Sequence, residues 1–481
     1  MKKCSVRNLD GSRYIVFYII AFALVSDLLV HSYRQTLVYS FMLTEAELRS
    51  HLSIISSDQM RGRGIGTPEI GYASDYLSEF YRDHGLKSLS KFNGYFQPFV
   101  LEKVLANPKM ILNGHEISSG DFVDSNRQFE NIVGVPFYLN PGDLVRPPSI
   151  SLKNAVLVSY HPRIFNIDEF KDLSRALVSY ARRYEAKGLI QVIQSKSSWN
   201  EIFSSFEQGL EYRSGDHEVL PHFYLKETTG VRSKIREKID EIVISFTKFR
   251  KRSVECKNIG GLITGSDSIL KHEFVVVSAH YDHLGIGESW SGDSIYNGAR
   301  DNAIGVVAIL NAISYFSKKP AKRSMIFLAT TAEEVGLFGS RYFVENLPKR
   351  RHSIVFNFNS DGMGYNDKSL VSVIGLSSSP AKSLIIRGCK MFSLKADEPE
   401  QMKRLFANSD NFSFSEIGIN SITFSPGVLK IDSEINRYYH KPQDHVEGLD
   451  FDYLKRFYGS FVRTLELIGN SDTKMNVDFN K

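Results

Sequence analysis

Five short stretches in the second half of the chain carry side chains able to hold a metal ion or move a proton. They are HYDHLG, with His280, Asp282 and His283; GARDNAIGV, with Asp301; TTAEEVGLFGS, with Glu333 and Glu334; NSDGMG, with Asp361; and YYHKPQDHVE, with Tyr439 and His440. Singly, each has an ordinary explanation. Asp301 stands where a helix N-cap is expected, Glu334 where a first-turn acid complements a helix dipole, and Asp361 in a turn-like S-D-G. Together, two imidazoles and three carboxylates suit zinc better than calcium, which favours an all-oxygen shell. One carboxylate can bridge two ions through its two oxygens. Each ion then keeps one histidine and one terminal carboxylate, as in two-metal hydrolytic sites with ions about 3.5–4 Å apart. The adjacent Glu333 and Glu334 repel each other unless one is committed to a cation, which frees the other to carry a proton.

The elements that must position these groups are short apolar runs alternating with helical stretches. FVVVSAH (274–280), SMIFLAT (324–330), SIVFNFN (353–359) and SITFSP (421–426) read as strands buried on both faces of a parallel sheet. AIGVVAILNAISYFSKK and VGLFGSRYFVENL read as helices between them. The expected fold is therefore α/β, a mixed, mainly parallel central sheet flanked by helices. Such sheets gather chemistry at the carboxyl ends of their strands, where the candidate residues lie. Upstream, TEAELRSHLSIISS predicts a helix with a Thr44/Glu47 capping box, and YASDYLSEFYRDHG a second helix. RGRGIGTPEIG between them reads as a loop near the catalytic face. It follows no strand and lacks the G-x-G-x-x-G spacing of a phosphate loop.

From about Lys109 to Arg236 the texture changes to short strands such as NIVGVPFYL and NAVLVSY, with one helix, LSRALVSYARRYEAKG, leading into LIQVIQ. This reads as a smaller inserted α+β module. The expected organisation is a signal peptide or membrane anchor over 1–40, the N-terminal part of the catalytic domain over 41–108, the insertion over 109–236 and the catalytic domain over 237–481. The N-terminus carries basic residues and then twelve unbroken apolar residues, Tyr14 to Val25. That is short for a membrane span but sufficient for a signal-peptide core. Residues 14–30 could also serve as an uncleaved anchor, and either way the catalytic part is expected to be exported.

The net charge of +5 over 481 residues is small. Its densest run, KFRKR (248–252), reads as a guarded edge strand rather than a nucleic-acid surface. Cys256 and Cys389 either form one disulfide or remain two buried thiols, and no C-x-x-C metal pair is present. The absence of G-x-S-x-G and H-E-x-x-H disfavours a serine hydrolase and a thermolysin-like peptidase.

The five motifs, in this order, resemble the co-catalytic di-zinc aminopeptidases, whose fold is shared by glutamate carboxypeptidase, glutaminyl cyclase and the transferrin-receptor ectodomain. The resemblance covers residues 241 to 481 and takes in ISSDQMRGRGIGTP. The insertion, with ARRYEAKGLIQVI and VLPHFYLKE, is similar to a protease-associated domain, a lid-like module. The resemblance implies two zinc ions per chain. His280 and Asp361 would hold one, Glu334 and His440 the other, and Asp301 would bridge them. Glu333 would be the general base, and Asp282 would accept a hydrogen bond from the far nitrogen of His280. Tyr439 would donate to the oxyanion, while His283 is expected to be structural. The implied activity is removal of N-terminal residues from peptides. Alternatives on the same fold are carboxypeptidase action, glutaminyl cyclisation and a non-catalytic binding ectodomain. Two positions depart from the family's pattern. Arg300 stands where an acid or small polar residue is common, and Asn411 stands where histidine often follows the aspartate, in a loop expected to border the specificity pocket.

Overall fold

The structure, a computed structural model, describes residues 41–475 apart from segments 125–130, 162–166, 195–198, 200–211, 215–219, 229–230 and 232–239 and positions 141, 143, 145 and 149. The apolar leader lies outside the described residues. Among the described residues no helix is long and apolar enough to cross a membrane. The chain divides into two compact units. One is Met1–Phe99 with Cys256–Lys481, the other Val100–Glu255. The division falls inside two long strands, Phe96–Leu112 and Ile242–Ile263, each of which starts in one unit and ends in the other. The smaller unit is thus wider at both ends than 109–236. Texture changes cannot locate a boundary inside a continuous strand.

In the larger unit the strands run in the order Lys395–Asp397, Leu370–Ile374, Ser421–Pro426, Ile354–Asn359, Phe274–His280, Ser324–Thr330 and the end of Ile242–Ile263. The four central strands are mutually parallel. Leu370–Ile374 and Ile259–Ile263 run antiparallel to their inner neighbours. Every residue of Phe274–His280, Ser324–Thr330, Ile354–Asn359 and Ser421–Pro426 is buried, as expected for parallel strands covered on both faces. Helix Ile304–Lys318 is apolar nearly all round and buried from Ile304 to Phe316. It packs on the Phe274–His280 strand and on the C-terminal helix Phe451–Asn470, so it lies inside the core rather than on its surface. Thr44 and Glu47 form the expected capping box at the start of helix Glu45–Ile55. Cys256 and Cys389 are buried thiols with no disulfide.

The smaller unit has its own parallel strands, Ile132–Tyr138, Ala155–His161, Gly188–Ile193 and His222–Lys226. Helix Ile167–Arg183 connects the second to the third. Its apolar core is separate from that of the larger unit.

Candidate active site

Register brings the catalytic candidates level. His280 pairs with Thr330 across one strand boundary, and Ser278 with Asn359 across the other. Three residues past Thr330 comes Glu333, and two past Asn359 comes Asp361. These carboxyl ends face the loop that carries Asp301 and the later loop that carries His440. The structure brings all six side chains together. The His280 Nε2 lies 3.2 Å from an Asp361 oxygen and 3.4 Å from Asp301 Oδ1. The His440 Nε2 lies 3.2 Å from Asp301 Oδ2 and 3.2 Å from Glu334 Oε2. Asp301 therefore turns one oxygen toward each histidine.

The charges around these contacts are unbalanced. Asp301, Glu333, Glu334 and Asp361 surround two imidazoles, and among the described residues no lysine or arginine pairs with any of the four. Burial alone would lower the His280 pKa, but the charges of Asp361 and Glu333 and contacts from Asp301 and Asp361 hold it well above the usual histidine value. His440, opposed by burial in the same way, is raised to about 10 by Glu334 and Asp301. Burial drives Glu333 well above the carboxylate range; Asp361 and Glu334 add to the rise and His280 opposes it. Buried charge in such surplus needs a cation. The donor set fits one: ligand atoms of His280, Asp301 and Glu334 lie within 4.8 Å of one another, as do those of His280, Glu333 and Asp361. Mixed nitrogen and oxygen donors suit a borderline divalent ion.

The supports of this cluster are mostly main-chain bonds. The far nitrogen of His280 donates to the main-chain oxygen of Asp282 at 3.1 Å, not to its carboxylate, which lies 3.8 Å away. The carbonyl fixes the tautomer just as well. The Asp282 carboxylate instead accepts the amides of Glu333 and Glu334 at 3.3 and 3.4 Å, so it braces the turn that presents both glutamates. Ser409 donates to the outer oxygen of Asp361 at 2.5 Å. His283 lies 2.6 Å from the second oxygen of Glu334, and so orients a candidate ligand rather than simply filling space. That role was not read from sequence, although its place in H-x-D-H was a signal.

Arg63, in the loop expected to pack near this face, was also not singled out. Its guanidinium is wholly buried and donates to the carbonyls of Ile55, Tyr281, Asn297 and Gly298 at 2.7–3.1 Å. It ties the strand end after His280 to the loop before Asp301. The neighbouring Gly62 has φ +69°, and a Cβ there would meet the Gly285 carbonyl oxygen at 2.4 Å. Only glycine fits that crossing.

The two departures from the family's pattern are buried and do not line the cavity described below. Arg300 is buried and bonded to Asp444 at 2.9 Å and to the Gly448 carbonyl at 2.9 Å, with Tyr438 stacked over its guanidinium. Asp444 in turn accepts the Asp301 amide at 3.2 Å. Arg300 therefore does not alter the rim; it fixes the backbone of the central carboxylate. Asn411 is buried, donates to the Phe406 carbonyl at 3.1 Å and accepts from Thr423 at 2.8 Å. It anchors the loop whose Leu405, Ala407 and Asn408 line the cavity. That cavity, about 400 Å³, opens on His280, Asp301, Glu333, Glu334, Asp361, Tyr439 and His440. Tyr439 stacks on His440 with ring centroids 4.0 Å apart. Burial and the surrounding carboxylates keep its hydroxyl protonated well beyond the usual phenol range.

A mainly parallel sheet with a carboxylate and imidazole cluster at the carboxyl ends of its strands places its chemistry where open α/β sheets bind their ligands. Residues 258–464, a little over two-fifths of the chain, match Peptidase family M28. Aminopeptidase YwaD of Bacillus subtilis is 26% identical over 191 residues, 39% of this chain and 39% of that protein. A vacuolar membrane protease of Lachancea thermotolerans is 30% identical over 191 residues, 36% of this chain but 18% of its own length. The matched regions thus span under two-fifths of each of these relatives. The aminopeptidase from Aneurinibacillus sp. strain AM-1 shares the fold, with a TM-score of 0.57 at 14% identity over 91% of this chain and 97% of that one.

Proposed function

We propose that the protein is a zinc-dependent aminopeptidase that binds two zinc ions. His280 and Asp361 would hold one, Glu334 and His440 the other, with Asp301 between them. The observation that carries this reading is Asp301, whose two oxygens face two different histidines at 3.4 and 3.2 Å. Zinc supplies Lewis acidity, acidifying water and polarising the scissile carbonyl. The chain's own groups do the rest. Glu333 takes the proton of the attacking water and hands it to the leaving amine. The Tyr439 hydroxyl donates a hydrogen bond to the developing oxyanion. Asp282 keeps Glu333 and Glu334 in their places through the main chain. Met363, Ile374, Met402 and Leu405 line the cavity and take an apolar N-terminal side chain, while the carboxylate cluster attracts its free ammonium group. Val100–Glu255 would be a protease-associated-like insertion, and the basic then apolar N-terminus would direct export.

Metal analysis with release of p-nitroaniline from leucine p-nitroanilide tests this. Two zinc ions per chain, and cleavage that is lost when the leucine is N-acetylated, are expected. Equal cleavage of free and acetylated substrate would overturn the assignment.

A further inference from the structure

Two unlike groups line the cavity. Met363, Ile374, Met402 and Leu405 pack together as an apolar group, whereas Gly336, Leu337 and Arg341 follow Glu333 in the chain. The amides of Gly336 and Leu337 both donate to the Glu333 carbonyl, at 2.9 and 3.0 Å, and the Arg341 amide donates to the Leu337 carbonyl at 3.0 Å. A tight turn and one turn of helix Phe338–Glu345 thus carry the chain from the general base to an arginine that lines the same cavity. Arg63 and Arg300 in this unit commit their donors to carbonyls or a carboxylate. Arg341 is exposed, and its guanidinium makes no ion pair or hydrogen bond among the described residues.

We propose that Arg341 binds a carboxylate on the residue that follows the scissile bond. The preferred substrates are then dipeptides with a free C-terminus, or peptides whose second residue is acidic. This rests on the aminopeptidase reading for its direction. Glu333 delivers a proton to the leaving nitrogen, so the leaving residue lies beside Glu333 and the turn that follows it. Arg341, eight residues on, is the one lysine or arginine among the residues that line the cavity. Its planar fork of donors matches a carboxylate in a way that a solvated lysine does not. The N-terminal side chain packs against the apolar group, where a carboxylate would lose its hydration without a partner.

The test measures dissociation constants for Leu-Gly, Leu-Gly-amide and Leu-Asp-amide in full-length, zinc-loaded Glu333→Ala protein, where turnover is stopped. The same set is measured with Arg341→Gln or Arg341→Lys added. Expected is about 5-fold tighter binding of the carboxylate ligands than of Leu-Gly-amide, the scale of a partly exposed charge pair. The preference should vanish with Arg341→Gln and return in part with Arg341→Lys. A gain for Leu-Gly alone identifies the C-terminal carboxylate, and a gain for Leu-Asp-amide the acidic side chain. A purely structural role for Arg341 would weaken all three ligands alike. A preference that is absent, or that survives Arg341→Gln, overturns the proposal. Turnover of leucine p-nitroanilide by the unaltered protein tests the aminopeptidase reading separately, because the binding ratios read Arg341 even where that turnover is missing.

Discussion

Each compact unit brings a pair of histidines together, and the pairs have opposite neighbours. In the larger unit His280 and His440 face Asp301, Asp361 and Glu334 within 3.4 Å, and both are held above the ordinary histidine range. In the smaller unit His161 and His222 flank a single buried amide. Gln191 donates to His161 at 2.9 Å and accepts from His222 at 2.7 Å. Burial lowers His161 to about 4; burial, with His161 adding to it, lowers His222 to about 3. One pair sits in excess negative charge that calls for a cation. The other belongs to a neutral chain whose hydrogen bonds are already made. A histidine's partner, not its burial, decides which kind of site it builds.

Breaking the first pair's surroundings should give the largest effects. Glu333→Ala is expected to lower kcat by about 10²–10⁴-fold while zinc stays bound, whereas Asp301→Ala should lose zinc as well. Metal analysis beside leucine p-nitroanilide kinetics separates the two, and near-normal kcat in Glu333→Ala would remove the base assignment. Asp282→Asn places an amide NH₂ beside main-chain donors it now accepts from. About a 10- to 100-fold loss of activity is expected, typical of an outer support of a metal site, with a lower melting temperature because one main-chain donor loses its acceptor in a buried place.

The second pair predicts a pH effect in the smaller unit. Both histidines have folded pKa values below the unfolded value near 6.5, so their contribution to stability is complete above about pH 6.5. It falls as the pH drops toward 4 and then 3, because the unfolded chain takes up protons that the folded one refuses. Trp199, buried in this unit, reports unfolding by fluorescence in a Trp290→Phe background. Gln191→Glu would give the imidazoles a carboxylate and should flatten the loss between pH 6.5 and 4. An unchanged slope would show that these histidines are not its source.

Much of this was open to reading before any coordinates. FVVVSAH, SMIFLAT and SITFSP are strands over the residues expected, because runs buried on both faces leave no polar alternation to obscure them. Leu370–Ile374, a five-residue antiparallel strand between turns, gave no comparable signal. The same limit hid Arg63, whose partners lie up to 235 residues away. It also hid the exchange at Asp282, since side-chain type does not tell whether a carbonyl or a carboxylate will reach His280 first.

Residue types and their order thus determined the α/β scaffold and the identity of the acids and imidazoles, since burial patterning and donor chemistry are written locally. The tertiary structure alone decided which oxygen of Asp301 faces which histidine, that Arg300 and Asn411 stay out of the cavity lining, and that Arg341 lines the same cavity as Glu333. Those outcomes depend on distances between loops remote in sequence, and only the packed sheet sets them.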